Sequence, residues 1–250
     1  MPDRFNIADA ICRRHLDAVT RLAIVEVKAA GANTYTFGAV SFLSDKFANV
    51  LAAHGLRQGE AVAIILPPSA SLAVAHFGAL KAGAAVVPLS LNLEPSNIQY
   101  ALRETAARAI IISEPSLQNL EAMISSIQSL EIVFVDSDCR EVSRGLDFWR
   151  EVYGASSYYI AAEPGAETPA YFFYSNNLDG KVSTASYTHG SILTELEAIE
   201  ATSGSIACSD APVKIESDWA TANCLIGELF AAWWRGCAVQ ANAQTDSPID

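Results

Sequence analysis

The chain has 250 residues, of which 51% are apolar and 18% charged, with a formal net charge of −12. That apolar content is ample for a large buried core and excludes disorder as a description of the whole. Residues 1–150 hold 13 Lys/Arg against 15 Asp/Glu, and residues 151–250 hold 3 against 13, so the sequence offers no basic face to nucleic acid or an anionic membrane.

No apolar run reaches the roughly 18 residues that a membrane span needs. Met1-Pro-Asp-Arg-Phe5 lacks the basic segment and apolar core of a signal peptide. The five cysteines, Cys12, Cys139, Cys208, Cys224 and Cys237, are scattered, and no pair has metal-ligand or C-x-x-C spacing. They read as buried free thiols of a cytoplasmic protein, and no metal site is expected.

In chain order, Ile7 to Val19 has near-helical apolar spacing. Leu22–Val27 and Asn33–Phe37 are β-prone runs joined by a Gly-containing link, a hairpin signal. From Phe42 the period changes to 3.6: Leu43, Phe47, Val50, Leu51 and His54 share a face, and Gly55 closes the helix. Then follows a regular alternation. Ala61–Leu66, Ala84–Leu89, Ala109–Ile112 and Ile132–Val135 are short apolar runs, the mark of strands buried on both faces. Between them, Ser69 or Ser71 can cap a helix to Lys81, Glu94-Pro95 opens another, and Leu117, Leu120, Ile124 and Ile127 mark a third. The expected fold is α/β, with largely parallel sheets covered by helices on both faces. Residues 1–169 are expected to form a first sheet-and-helix subdomain, and residues 170–250 an incomplete second one. Residues 155–169 read as a surface connection.

The second part opens with Tyr171 to His189. The β-prone run Ala170–Tyr174 feeds the polar loop Ser175-Asn-Asn-Leu-Asp-Gly-Lys181. A strand that delivers a small, Gly-containing loop is a common way to present backbone N–H groups to phosphate. Ser191 can cap a following helix that carries Ile192, Leu196 and Ile199. Pro212–Ile215 is a short possible strand, Leu225, Ile226, Leu229, Phe230 and Trp233 have helical spacing up to Gly236, and Cys237–Ala241 reads as a last strand.

The stretch Phe47 to Ser113 resembles the N-terminal region of the adenylate-forming acyl-CoA synthetase superfamily, in the order of its strands, helices and Gly breaks. Ser217 to Val239 is similar to the segment of acetyl- and medium-chain acyl-CoA synthetases in which Asp-Trp precedes a Gly-containing helix. Tyr174 to His189 falls where that superfamily carries its phosphate loop. The resemblance implies carboxylate activation with ATP and Mg²⁺, through an acyl-adenylate, followed by transfer of the acyl group to CoA. It implies phosphate contacts at Ser175, Asn176, Asn177, Asp179, Gly180 and Lys181, and an acyl pocket near His189, Asp218 and Trp219. The superfamily's later adenine- and ribose-binding segments and its catalytic-lysine domain have no counterpart in these 250 residues, so no catalytic residue is assigned.

The loop also departs from the pattern. The superfamily reads approximately Tyr-Thr-Ser-Gly-Thr-Thr-Gly-x-Pro-Lys-Gly. Here Asn177 replaces a glycine, Leu178 and Asp179 replace the two threonines, and Ser183 and Thr184 stand in the Lys and Gly columns. Asn only partly replaces Gly at positive φ, Leu cannot hydrogen-bond a phosphate, and Asp brings like charge. Asn-Asn and Asp-Gly also form turns without any ligand. His189 can simply pack its helix, Trp219 can be a half-buried indole whose N–H is paired, and His76 reads as a packed core histidine. The expectation is a truncated, degenerate relative without ligase activity and without tight binding of ATP, AMP, Mg²⁺ or CoA. The alternatives are one half of a split synthetase, completed by a separate chain, and a non-catalytic acyl or acyl-CoA binding module. A homo-oligomer or a complementing chain is the expected partner.

Overall fold

The computed structural model describes residues 3–15, 20–28, 31–137, 142, 144–176, 182–203, 208 and 211–242. The α/β expectation holds, with one large sheet, one small sheet and helices packed between and outside them.

The large sheet grows from β3 (Ala61–Ile65), whose five residues are all buried. Beside it lie β4 (Ala85–Pro88) and β5 (Ala109–Ser113), then β6 (Ile132–Asp136) and β7 (Leu146–Asp147). Beyond β4 come β8 (Pro169–Asn176) and β9 (Val182–Thr188), giving the order β7-β6-β5-β3-β4-β8-β9. Every pairing is parallel except β8 with β9. The smaller sheet has the order β10-β11-β1-β2: β1 (Leu22–Lys28) and β2 (Gly31–Thr36) form the expected hairpin, while β11 (Val239–Asn242) and β10 (Val213–Lys214) add in parallel. Each sheet therefore takes strands from both sides of the expected boundary between subdomains.

The pleat divides β3 between two cores. Val62 and Ile64 belong to the main core, which fills the space between the sheets. Ala61, Ala63 and Ile65 face the second core, under α4 (Pro95–Glu104) and α5 (Glu114–Ser125). A period of two puts successive side chains on opposite faces, so a strand covered on both sides reads as unbroken apolar sequence.

At the centre of the main core lies α3 (Ala70–Lys81), all twelve of whose residues are buried. Ser69 caps it: its Oγ accepts the Leu72 N–H at 3.1 Å. An apolar helix with no polar face is what such burial demands. Its one Lys, Lys81, donates to Asp45 Oδ1 (2.7 Å), Ser44 Oγ (2.9 Å) and the Ser41 carbonyl (3.1 Å), all on α2 (Phe37–Ala53). Pairing and full hydrogen bonding make a buried ammonium tolerable.

Several expectations change in detail. The first helix, α1, spans Ile7–Arg13, and His15 turns its ring nitrogen to within 2.8 Å of the Trp233 carbonyl oxygen. The second helix starts at Phe37, ahead of the expected change of period at Phe42, because Thr36 Oγ1 accepts the Ala39 N–H. A strand–helix pair that the sequence does not announce, β7 and α6 (Phe148–Gly154), follows Gly145. Gly145 has φ +79°, and a Cβ there would lie 2.6 Å from the Val133 carbonyl oxygen. Asp147 caps α6 through the Arg150 N–H at 2.7 Å. Helix α7 (His189–Ser203) starts before Ser191. Ser191 instead lies in its first turn and exchanges hydrogen bonds with Thr188. The segment Asn223–Phe230 is π-helical, with the Ala231 N–H reaching back to the Ile226 carbonyl, and it continues as α8 (Ala231–Trp234).

The reading of all cysteines as free thiols is corrected. Cys208 and Cys237 form a disulfide, while Cys12 and Cys224 are free and buried. Spacing along the chain carries no sign of the pair, since 29 positions separate its members. Cys139 lies outside the described residues.

Candidate functional site

Strands β8 and β9 carry the loop singled out from sequence. Their register runs from Tyr171 opposite Tyr187 to Ser175 opposite Ser183 and Asn176 opposite Val182. The hairpin opens at the same edge as the carboxyl ends of β3 to β6, where α/β sheets most often bind ligands. Ser175 is exposed at the end of β8. Asn177, Asp179, Gly180 and Lys181 lie outside the described residues, as does the side chain of Asn176.

The strand before the loop is firmly anchored. Tyr174 is 6% exposed, and its hydroxyl donates to Glu104 Oε2 at 2.8 Å. Burial first, and then this carboxylate, push the phenol well above the ordinary tyrosine range. The loop thus springs from a strand whose last buried group faces an acid. Neither β8 nor β9 contains a Lys or Arg.

The three expected pocket residues fall in different surroundings. His189 opens α7 and is 1% exposed. Its Nδ1 accepts the Ile7 N–H at 3.2 Å, and its ring meets Phe5 edge-on at 6.3 Å. Burial pulls its pKa down to about 4, so it stays neutral at ordinary pH. Asp218 is exposed, and its Oδ1 accepts the Ala220 N–H at 2.9 Å, shaping the turn into the π-helical segment. Trp219 is 1% exposed, and among the described residues its indole Nε1 has no hydrogen-bond partner. Among the described residues, none of Ser175, His189, Asp218 and Trp219 is hydrogen-bonded to another.

A buried indole N–H without a partner is costly and asks for an acceptor. Shortly after Trp219 the π-helical segment begins, a form often found at functional sites. Beside Gly227, in that segment, an added Cβ would meet only Asn223 Oδ1, at 3.7 Å. Trp219 thus offers a buried donor, and Gly227, eight positions on, a place where a side chain would make an ordinary contact rather than a clash.

A second unpartnered group lies under β8. His76 on α3 is 1% exposed, with Nδ1 3.0 Å from the Tyr171 hydroxyl and, among the described residues, no partner for Nε2. Burial draws its pKa down to about 3. This is the packed core histidine expected from sequence; its Tyr171 partner, 95 residues away, is not legible there. Among the described residues, no three His, Cys, Asp or Glu side chains gather as a metal site would require.

Comparison with known proteins gives these placements a frame. Residues 13–239 match the family described as AMP-binding enzyme. The chain is 26% identical over 223 residues to the mitochondrial acyl-coenzyme A synthetase ACSM4 of Mus musculus, covering 86% of this chain and 37% of that protein. It is 24% identical over 164 residues to a 3-hydroxybenzoate–CoA ligase of Aromatoleum sp. (strain CIB), covering 65% of this chain and 31% of that protein. In structure it superposes on the anthranilate CoA ligase AuaEII in complex with anthranoyl-AMP with a TM-score of 0.86 at 21% identity, over 96% of this chain and 45% of that one. A benzoate CoA ligase from Burkholderia xenovorans LB400 gives a TM-score of 0.81 at 23% identity, over 96% and 46%. The chain spans about a third of the length of these curated relatives and under half that of these structures.

Proposed function

Because the chain belongs to the AMP-binding enzyme family, we propose that these residues build the phosphate-loop and acyl-side part of an acyl-CoA ligase fold and do not by themselves adenylate a carboxylate. The observation that carries this reading is the β8–β9 hairpin. Its loop has Asn177, Leu178 and Asp179 in the columns where the superfamily has Gly, Thr and Thr. Its strands supply no cation, and its last buried tyrosine is bonded to Glu104.

ATP does not fit this hairpin. A triphosphate needs donors and positive charge around it, in a preorganised array. Asp179 and Glu104 contribute the opposite sign, and Lys181 stands alone in the variable column. These residues therefore support no step through ATP or Mg²⁺.

An acyl group suits the chain better. The Trp219 N–H is a buried donor suited to a carboxylate or thioester oxygen, and the glycine at 227 in the helix that follows keeps side-chain bulk low there. Asp218 holds the turn that presents the indole. His189 supports the same region at one remove, by fixing α7 to α1.

The test pairs two measurements on the purified chain. Carboxylate-dependent exchange of pyrophosphate into ATP is expected to be absent, and its presence at family-like rates would overturn the reading. Benzoyl-CoA or a medium-chain acyl-CoA is expected to raise the melting temperature, whereas ATP with Mg²⁺ leaves it unchanged. Stabilisation by ATP alone, lost in Lys181→Ala, would restore a nucleotide site.

A further inference from the structure

The disulfide occupies a particular place in the chain. Cys237 follows the Gly236 turn that ends α8 and precedes β11 by one residue. It is 9% exposed, and its N–H donates to the Ala232 carbonyl at 2.9 Å. Cys208 is half-buried against the edge of the main core. The ring closed by the bridge contains β10, Asp218, Trp219, the π-helical segment and α8, which is the whole acyl-side segment.

The N-terminal arm of this ring runs through a short edge strand to Ile215, which is buried in the main core. Among the described residues, strand β10 is an outermost strand, both of its residues are exposed, and it pairs with β11 through Val213–Val239 and Lys214–Gln240. The Val213 N–H also donates to the Ala238 carbonyl. So short an edge is at the low-stability end of a fold. The other arm is held by four register pairs between β11 and β1. A covalent link at Cys208–Cys237 joins the two arms.

We propose that Cys208 and Cys237 form a redox clamp whose oxidation state sets the order of the segment carrying Trp219 and Gly227, and with it the binding of an acyl group there. The part concerning acyl binding rests on the function proposed above; the clamp itself does not. In the closing direction, the Cys208 thiolate attacks a low-molecular-weight disulfide such as oxidised glutathione and releases one small thiolate. Cys237 then displaces the second from the mixed disulfide. Two protein thiols give up two electrons and two protons, and the small disulfide is reduced to two thiols. In the opening direction, a small thiolate attacks Cys208, the more exposed of the two residues, and Cys237 leaves as thiolate and takes up a proton. A second small thiolate then frees Cys208 from the mixed disulfide, and the small disulfide is regenerated. The two free thiols among the described residues do not compete. Cys12 and Cys224 are buried, and burial raises both, Cys224 to about 12, so neither supplies thiolate.

The experiment is hydrogen–deuterium exchange by mass spectrometry on the full chain, after equilibration with oxidised glutathione or with dithiothreitol. Peptide mapping without reduction is expected to recover the Cys208–Cys237 pair from the oxidised sample. Reduction is expected to speed exchange over residues 211–235 by about tenfold and to leave residues 61–65 and 109–113 unchanged. Cys208→Ser is expected to exchange at the fast rate under both conditions; the wild-type comparison stands without it should that variant not fold. Free Cys208 and Cys237 in the oxidised sample, or equal exchange in both states, would overturn the clamp. Thermal stabilisation by benzoyl-CoA is then read in each state. Stabilisation in the oxidised state alone supports the full proposal, and equal stabilisation in both states overturns the coupling to binding. No stabilisation in either state, with the exchange difference intact, refutes the acyl-side function and leaves the clamp standing.

Discussion

His189 shows how burial redirects a residue that sequence assigns to a pocket. Its ring nitrogen accepts the first N–H of α1, and the charged form is excluded by the surrounding core. The folded pKa, about 4, lies below the ordinary histidine value of 6.5. The unfolded chain therefore takes up a proton first as the pH falls. The stability owed to the neutral ring is complete above about pH 6.5 and is lost as the pH falls towards about 4. His76, drawn down to about 3, acts in the same direction. His189→Asn keeps an acceptor for Ile7 and removes the titration. Urea unfolding at about pH 6.5 and about pH 5 is expected to show a smaller loss of stability in this variant than in wild type, by at most about 1.4 kcal/mol per pH unit. Equal losses would mean that His189 charges freely in the folded chain. That the residue sits at the start of a helix was legible in the sequence; that its partner is Ile7, 182 positions away, was not.

At the scale of elements, the contact of α2 with α3 turns on one glycine. A Cβ at Gly78 would lie 2.6 Å from Phe47 Cδ1, 2.9 Å from Phe47 Cβ and 3.0 Å from the Ser44 carbonyl oxygen. Phe47 has no room to yield, since it is fully buried and packs on Phe148 at 4.9 Å and Phe134 at 5.4 Å. Gly78→Ala is therefore expected to cost about 1 to 3 kcal/mol through overpacking, outweighing the gain of about 1 kcal/mol in helix propensity. Chemical denaturation measures the difference, and a stabilised variant would show that the helices can part. The parallel strands were readable because burial on both faces leaves a continuous apolar run, as in Ala109–Ile112. The pair β7 and α6 was not, because a two-residue strand and a seven-residue helix carry too little period to stand out. The π-helical turn was equally hidden: Leu225, Ile226, Leu229 and Phe230 fit either helix, and only the backbone bonds tell them apart.

Over the whole molecule, charge is the property that composition states most directly. A net charge of −12, mostly placed after residue 150, makes the folded chain repel itself. Raising salt from about 0.01 M to 0.15 M shortens the screening length from roughly 30 Å to 8 Å. The melting temperature is expected to rise over that range in calorimetry, and a fall would show that attractive pairs such as Arg14–Glu200 and Lys81–Asp45 dominate. The alternation of strands and helices, the β1–β2 hairpin, the family, and the substitutions in the loop after β8 could all be read along the chain. Each of these is written in local period or in residue identity at a fixed spacing. Folding in three dimensions is what brings strands from the two ends of the chain into the small sheet, joins Cys208 to Cys237, and buries Trp219 with no partner for its indole N–H among the described residues. These depend on which distant segments pack together, and packing of apolar surface is not directional enough to be read from one strand or helix alone.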